Sequence, residues 1–346
     1  MGSSEQRPGG VGETGPLGRR ALPRLLVGLL ISAAFLALVI SRVDLAQVGS
    51  ALRGASLGVL VVTLGVVAFD LMVRAFRWRV LLAAIVPSPP SVLRAASYLT
   101  IGFMANAILP ARLGDVARAY LAGRAFGAAR LATFGTVMVE RVSDGLIMVF
   151  LALVSSLLVV GASQVRDLQS QALVLVLLVV AGSVGLVVMW LALRRGPLSR
   201  TRLGTGARSM LGRLGAGAGA LRTARGAALV VGATAVAATT ACITSALVAA
   251  SVGLTLSPEQ VVLFTSGIAL SLAIPAAPSS LGTFEFAGVL ILTSFGATAE
   301  VGLATILLVR LVTTVPLALA GLVVTWATHL RPSTMFAPAA DRGDAA

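Results

Sequence analysis

Long runs of apolar residues dominate the chain and predict its main elements. A membrane-crossing helix needs about 20 predominantly apolar residues, and six runs approach or exceed that length. These runs are 25–41, 57–73, 145–162, 171–193, 227–251 and 302–328. They do not alternate apolar and polar residues as membrane β-strands do. The pattern therefore predicts an all-α, polytopic helical membrane protein with about six full spans.

Two further apolar stretches, 91–125 and 258–297, are interrupted by residues that break helices. Pro110 interrupts the first stretch, and Pro275 and Pro278 interrupt the second. Proline stops or kinks a helix, and the freed backbone groups are tolerated in a membrane only where protein or water satisfies them. Both stretches are therefore predicted to form re-entrant helical hairpins, whose tips near Pro110 and Pro278 approach each other at mid-membrane.

The two interrupted stretches resemble each other in sequence. The motif "PARLG" begins at 110, and "PSSLG" begins 168 residues later at 278. Each motif is followed by an acid and then by an arginine in an apolar run, namely Asp115 and Arg141 in the first copy and Glu285 and Arg310 in the second. Three predicted spans separate the copies, so they would enter the membrane from opposite sides. This predicts an inverted repeat, the construction of many alternating-access transporters.

Composition supports the membrane class and argues against a nucleic-acid partner. The chain is 57% hydrophobic and 12% charged, with a mean hydropathy of +0.98. Soluble domains carry about 25% charged residues. All 27 basic residues are arginine, which indicates a general composition bias, so the net charge of +14 does not predict nucleic-acid binding.

The arginine distribution predicts the orientation. Residues 1–24 form a polar, Gly/Pro/Arg-rich tail, and 194–226 carries eight arginines without an acid. Basic segments remain on the cytoplasmic side. The N-terminus, the 194–226 connector and the C-terminus are therefore expected to be cytoplasmic, in a multi-pass protein of the cytoplasmic membrane. The division is a disordered tail at 1–24, a transmembrane domain at 25–330 and a polar tail at 331–346.

No pattern of an enzyme or a metal site is present. Cys242 is the single cysteine and lies in an apolar run, and His329 is the single histidine. A phosphate-binding glycine loop of the ATPase type is absent from the sequence. We therefore expect no enzymatic activity, no cofactor and no metal.

Charged residues at the first break form a candidate anion site. Arg112 and Arg118 carry planar donors that suit phosphate oxygens, and a broken helix end adds unpaired N–H groups. Asp115 lies three residues from each arginine and could position both. Together with Asn106 they are candidates for binding a headgroup or phosphate. The alternative is a cytoplasmic interface with local ion pairs.

A second group of charges lies within apolar helices. Glu140, Arg141 and Asp144 share one helix, and each charge costs about 2.5–3.5 kcal/mol at the centre of a membrane helix. Such charges persist only when they are paired or face water. Arg310 also needs a partner, and Glu285 is the nearest candidate. These five residues form either a polar pathway or a structural ion-pair network.

A third group comes at the end of the span 57–73. Asp70, Arg74 and Arg77 recur at helical spacing, and Trp78 comes directly after them. Arginine stems and tryptophan rings are typical of a helix end at the membrane surface. Arg74, Arg77 and Trp78 are therefore predicted to mark a cytoplasmic interface.

Four motifs carry a resemblance to a known family: "RAFRWRVLL" (74–82), "GFMANAILPARLGDVARAYLAGR" (102–124), "VERVSDG" (139–145) and "PAAPSSLGTFEFAG" (275–288). Over 25–330 the chain resembles the transmembrane domain of lysylphosphatidylglycerol synthases, which also occurs as stand-alone, flippase-like membrane proteins. The resemblance implies re-entrant helices and movement of aminoacylated or glycosylated phospholipids between leaflets. The residues after 330 are too few for the aminoacyl-transfer domain of those synthases, so lysyl transfer is not expected and the lipid remains open. The second copy, "PSSLG", lacks the arginine of the first, so no phosphate role is assigned to it.

The expected function is a lipid flippase or transporter that moves a phospholipid or modified lipid between leaflets of the cytoplasmic membrane. One alternative is a non-transporting partner or anchor of a lipid- or glycan-modifying enzyme, and another is a transporter of small anions. Membrane lipids are the expected partners, with such an enzyme as a second candidate. Charges within apolar helices in both halves favour transport over anchoring.

Overall fold

The computed structural model describes residues 30, 32–109, 112–161, 212–272 and 280–328, and these contain helices and no strand. The helices are α1 Ser32–Ile40, α2 Leu45–Arg53, α3 Leu57–Leu82, α4 Val92–Ile108, α5 Leu113–Phe126, α6 Arg130–Gly161, α7 Ala224–Ser251, α8 Pro258–Ser271, α9 Thr283–Ser294 and α10 Ala299–Ala327, with a 3₁₀ turn at Gly219–Arg222. The predicted features outside the described residues are the tails 1–24 and 331–346, the span 171–193, and Pro110, Pro275 and Pro278.

Four of the described helices are long and apolar enough to cross a membrane, which confirms the predicted all-α membrane class. They are α3, α6, α7 and α10. α3 and α7 contain the predicted spans 57–73 and 227–251, and α10 contains all of the span 302–328 except its last residue, which is the C-cap. The predicted span 145–162 covers only the later half of α6, because that helix already begins at Arg130. Residues 139–144 therefore lie inside a membrane-length helix instead of preceding one.

The first predicted span, 25–41, is not succeeded by a simple loop. At its end the chain bends by 85° between α1 and α2. Asp44 caps the start of α2, since its carboxylate accepts a hydrogen bond from the main-chain N–H of Ala46 at 2.8 Å. A capped start of this kind lets a new helix begin directly after the bend. α2 then packs against α10.

Each interrupted stretch consists of two short helices that pack against each other. α4 and α5 are antiparallel, because Tyr98 near the start of α4 contacts Phe126 at the end of α5, with ring centroids 5.1 Å apart. α8 and α9 also pack together, and neither stretch is one continuous helix. The two breaks meet, since Arg112 Nη2 donates a hydrogen bond to the carbonyl oxygen of Leu272 at 3.0 Å. The residues flanking the predicted tips are thus in contact.

Helices of each half of the protein pack against helices of the other half. α4 of the first half packs against α10 of the second, and α8 of the second half packs against α6 of the first. α3 packs against α7, and three hydrogen bonds show that the pair is antiparallel. They link Ser56 to Ser251 at 2.8 Å, Thr240 to Asp70 at 2.7 Å and Arg77 to Thr234 at 3.0 Å. The helices α3–α6 therefore have counterparts in α7–α10.

The backbone at the two breaks shows the same correspondence. Arg112 has φ 55° and Ser280 has φ 51°, and they are the only non-glycine residues with positive φ among those described. A left-handed conformation costs a non-glycine residue roughly 1–2 kcal/mol. The two positions are 168 residues apart, which is the offset between the two sequence motifs. The repeat thus extends from residue types to backbone conformation.

The five helices α3 to α7 each have one end at the same end of the molecule. Arg79 near the end of α3 donates to the carbonyl of Pro90 before α4 at 2.9 Å, and α5 ends where α6 begins. α7 begins at this end as well, since it is antiparallel to α3. The described part of the connector 194–226 packs at this end as well. Gly219 approaches Ala84 so closely that an added Cβ would lie 3.0 Å from the Ala84 methyl.

Candidate functional site

A cluster of charged side chains lies where α3, α5 and α6 meet. Its members were predicted from the sequence to lie in three separate groups. The structure joins them, and the members are Asp70, Arg74, Arg77, Asp115, Arg118, Glu140, Arg141 and Asp144. We call this set the charged cluster. It contains four arginines and four carboxylates, so its own charges balance.

The inner part of the charged cluster is buried. Arg77, Arg118 and Glu140 are only 1%, 3% and 2% exposed. Glu140 lies between the two arginines, at 2.7 Å from Arg118 Nη2 and 3.5 Å from Arg77 Nη2. A buried ion is very costly unless it is paired. Glu140 therefore keeps two buried guanidinium groups inside the helix bundle.

Asp115 binds Arg141 and not Arg112. Its two oxygens accept from Arg141 Nη2 at 2.6 Å and Nε at 2.9 Å, a two-point contact of high geometric specificity. Arg118 Nε lies 3.7 Å from the same carboxylate. The prediction that Asp115 positions both flanking arginines is therefore corrected for Arg112. That residue is the N-cap of α5 in a left-handed conformation, and its side chain reaches α8 instead.

Asp144 connects α6 to α3. It is bound by Arg77, whose Nη2 lies 3.2 Å from Oδ2, and by Arg74 Nη1 at 3.6 Å. Arg74 also binds Asp70 at 2.6 Å, and the hydroxyl of Thr240 on α7 donates to that carboxylate. Thr240 and Thr234 both lie on α7, and Thr234 accepts a hydrogen bond from Arg77. Neither threonine was predicted from the sequence to belong to the site. Threonines are common in apolar helices, and nothing in their spacing distinguishes these two.

The predicted interface role of Arg74, Arg77 and Trp78 is corrected. Trp78 is fully buried, and its ring centroid lies 4.9 Å from the guanidinium carbon of Arg118. Its Nε1 donates to the hydroxyl of Thr136 at 3.0 Å. The physical reason is that α3 continues to Leu82, so these side chains are covered by α4, α5 and α6 instead of emerging at a helix end.

Asn106 lies beside this cluster at the end of α4. Its side-chain Nδ2 is 3.5 Å from Asp115 Oδ1, a long contact. Gly114 makes the close approach of α5 possible, because a Cβ there would lie 2.6 Å from the main-chain nitrogen of Asn106. The glycine of the "PARLG" motif is therefore needed for the packing of α4 on α5.

The outer part of the charged cluster is partly exposed. The side chains of Arg141, Asp144, Arg74 and Asp70 are 30%, 23%, 22% and 19% exposed. A small open pocket lies beside them, lined by Arg74, Arg77, Leu99, Phe103, Arg118, Glu140, Arg141 and Asp144. The Nε groups of Arg77 and Arg118 are buried and have no hydrogen-bond partner. The pocket is thus lined by four arginines and two carboxylates, with the two unpartnered Nε groups buried behind it.

Arg112 adds one positive charge next to this balanced set. Its guanidinium forms no ion pair with a carboxylate of the described residues, and its one hydrogen bond goes to a main-chain carbonyl. It is exposed, as are the apolar residues Leu113 and Val116 on the next turn. A cation without a carboxylate partner, beside apolar surface, suits an anionic group attached to a lipid.

The second half contains one counterpart of these ion pairs. Glu285 lies 2.6 Å from Arg310 Nε, which confirms the predicted pairing. Glu285 also accepts from the main-chain N–H of Gly282 at 2.7 Å, and Arg310 lies over the Phe284 ring at 4.7 Å. The pair repeats Asp115 with Arg141, an acid at the start of a short helix bound to an arginine on the next long helix. Within the described residues it shares no ion pair with the charged cluster, so the five predicted pathway residues divide into two sites.

The model of a family described as the lysylphosphatidylglycerol synthase transmembrane region matches residues 25–321, which is most of the chain. The chain belongs to that family. Membership was predicted from four motifs and is confirmed. The matched range includes every residue of the charged cluster, together with Glu285 and Arg310. A comparison with curated proteins gave no match.

Substitutions of Trp78 test how much its ring, which lies over Arg118, contributes to the stability of the protein. Trp78→Leu is expected to lower the free energy of unfolding by about 2–3 kcal/mol, because it leaves a cavity and removes the ring over Arg118. Trp78→Phe keeps a ring and loses one hydrogen bond, so we expect a loss of about 1 kcal/mol. Thermal unfolding of the detergent-purified variants measures both. Equal losses would show that the ring over Arg118 contributes no stability.

Proposed function

We propose that the protein moves a phospholipid, or a modified phospholipid, between the leaflets of the cytoplasmic membrane. The observation that carries this proposal is a row of partly exposed charges at mid-length of the membrane-length helices α3 and α6. Beside it lies Arg112, a cation that pairs with no carboxylate of the described residues. Charges at that depth are costly, and membrane proteins retain them along polar pathways. A purely structural network would favour full burial, whereas four of these side chains are about a fifth to a third exposed.

The architecture that we propose for transport has six spans and two re-entrant hairpins related as an inverted repeat. The helices α4, α5, α8 and α9 are about 18–26 Å long, shorter than the roughly 30 Å hydrocarbon core. The antiparallel arrangement of α3 and its counterpart α7 supports the inversion. In this architecture the α4–α5 pair enters from the cytoplasmic side and the α8–α9 pair from the outside, and their breaks meet at the charged cluster.

In the proposed mechanism the headgroup enters the polar row while the acyl chains remain in the surrounding lipid. The phosphate binds Arg112, whose guanidinium pairs with no carboxylate of the described residues, and the unpaired N–H groups at the start of α5 add to the positive potential. Leu113 and Val116 present apolar surface to the first part of the acyl chains. The proposal assigns no catalytic residue and no cofactor, and its partner is the lipid itself.

Reconstitution tests the proposal directly. The purified protein is incorporated into liposomes that contain a trace of fluorescent lipid, and a membrane-impermeant quencher reports the label left in the inner leaflet. The labelled lipids are phosphatidylglycerol, its lysyl derivative, phosphatidylethanolamine and a glycosyl diacylglycerol without phosphate. We expect transfer of at least one phosphate-containing lipid and none of the phosphate-free glycolipid. Rates equal to those of protein-free liposomes for all four would favour the alternative of a non-transporting membrane partner.

The proposed orientation makes a further prediction. Six exposed arginines lie at the helix end that includes the 3₁₀ turn: Arg94, Arg124, Arg130, Arg213, Arg222 and Arg225. No acid occurs in 71–114, 116–139 or 212–258, so this end should be cytoplasmic. With Cys242 replaced by serine, Arg222→Cys should react with an impermeant maleimide only after cells are permeabilised. Gln47→Cys on α2 should react in intact cells. The reverse result would overturn the orientation.

A further inference from the structure

We infer that Arg112 couples binding of the lipid phosphate to the contact between the two halves of the protein. This inference rests on the proposed function and adds a role that lipid binding alone does not require. In it, one guanidinium exchanges a carbonyl of the opposite half for an oxygen of the headgroup. Binding of the headgroup therefore releases the hydrogen bond that joins the two breaks.

The carbonyl of Leu272 is a suitable ligand to be exchanged. Leu272 is the C-cap of α8, and the last carbonyls of a helix have no partner within it and carry partial negative charge. The oxygen that Arg112 binds thus resembles a weak anionic oxygen. A phosphate oxygen carries full charge, and charge-assisted hydrogen bonds are about twice as strong as neutral ones. The headgroup is therefore the better partner for the same N–H groups.

Among the arginines at this site, Arg112 is the one that can exchange partners at low cost. Arg74, Arg77, Arg118 and Arg141 each bind a carboxylate. Releasing any of them would leave that carboxylate unpaired in a partly or fully buried position, which is strongly unfavourable. Releasing Leu272 leaves only an uncharged main-chain carbonyl at a helix end, which costs less than an unpaired buried carboxylate.

Among the described residues, the second half shows no equivalent hydrogen bond from its own break to the first. Its counterpart of Arg112 is Ser280, with the same left-handed φ and an offset of 168 residues. A serine side chain is too short to reach across from one break to the other. Within the described residues, the bond between Arg112 and Leu272 is the one side-chain hydrogen bond that joins the two breaks, and exchange at Arg112 releases it.

Distance measurements between the two breaks test the inference. Leu113 and Leu281 are exposed residues that occupy equivalent positions in the two motifs. Spin labels are placed at Leu113→Cys and Leu281→Cys in a Cys242→Ser background, in a phosphate-free maltoside detergent. Short-chain phosphatidylglycerol is then added. We expect a longer label–label distance whose population grows with lipid and saturates. Arg112→Ala should show that longer distance without lipid and no further response.

Two further variants complete the experiment. Arg112→Lys keeps a charged donor but not the planar fork, so we expect the short distance and at least about a tenfold higher lipid concentration for half of the change. Arg213→Ala, at an exposed site far from the breaks, should behave like the parent protein. Equal responses of the parent and Arg112→Ala to lipid would overturn the inference, as would distances that neither lipid nor Arg112→Ala changes.

The transport assay separates this inference from the function on which it rests. If the parent protein transfers lipid while its distances do not respond to lipid, the coupling is wrong and the proposed function stands. If the parent protein transfers none of the lipids tested, both are overturned, whatever the distances show. Transfer by the parent together with a lipid-dependent distance that Arg112→Ala abolishes supports both.

Discussion

Arg112→Ala is expected to reduce lipid transfer in proteoliposomes by roughly 30-fold or more. Loss of one partner of a desolvated, charge-assisted contact costs at least about 2 kcal/mol of binding, which corresponds to that factor. Alanine and arginine bear similar strain at φ 55°, so the substitution changes the side chain and not the backbone preference. Arg112→Lys should recover only part of the rate, because lysine keeps the charge without the two-point geometry.

The matched control is Arg213→Ala. This arginine is exposed in the described part of the 194–226 connector and forms no ion pair there. Its removal takes away the same charge, and transfer should continue at the parent rate. The measurement is the initial rate of leaflet transfer at equal protein incorporation. If Arg112→Ala and Arg213→Ala gave the same rate, the anion site at Arg112 would be abandoned in favour of an arginine that only marks an interface.

Glu140→Ala is expected to be the most destabilising substitution in the protein. It leaves the guanidinium of Arg118 buried without its nearest carboxylate and weakens the pairing of Arg77. Breaking a buried ion pair by removing one partner costs about 3–5 kcal/mol. That is a large part of the stability of a typical domain, so low yield and a low unfolding temperature in detergent are expected. Glu300→Ala is the control: it removes a partly exposed carboxylate that forms no ion pair within the described residues and whose contact with the main-chain N–H of Asp44 is long, at 3.4 Å, so it should change little.

A double substitution separates stability from transport. Replacing both Arg118 and Glu140 by leucine removes the buried pair together, which is often neutral or stabilising compared with removing one partner. We expect the double variant to unfold at a higher temperature than Glu140→Ala and still to transfer little lipid, since the pocket has lost an arginine. Full transport by a stable double variant would assign this pair a structural role alone.

The charged cluster combines a scaffold with a site. Its buried members form ion pairs that hold α3, α5 and α6 together. Its partly exposed members and Arg112 remain available to a ligand. This division explains why Asp115→Asn, which weakens the two-point contact with Arg141, is expected to reduce stability as well as transfer. A mild effect would be expected only if Asp115 merely positioned Arg112, and the structure rules out that contact.

The apolar runs and the helix-breaking prolines determined the fold class and the positions of several helices. The apolar runs at 57–73, 227–251 and 302–328 each form one helix, with residue 328 as the cap of the last one, because a long apolar run in lipid must satisfy its own backbone. The breaks near 110 and 278 also arise from local chemistry, since proline removes a backbone donor and stops the helix. The repeat has the same offset in the amino-acid sequence and in the backbone angles. Family membership was evident from four short motifs.

Tertiary structure alone decided which charges share a site. Arg77 and Trp78 looked like a helix end, because apolar periodicity stops near 73 and a sequence does not show that other helices cover the next two turns. Glu140 joins Arg77 to Arg118, residues 63 and 22 positions away, through packing that no local pattern encodes. The direction of Arg112 likewise depends on one left-handed residue and on α8 lying opposite it. Local chemistry thus placed the helices and their breaks, while long-range packing selected the partner of each charge, because an ion in lipid is stabilised by whichever group the fold brings within reach.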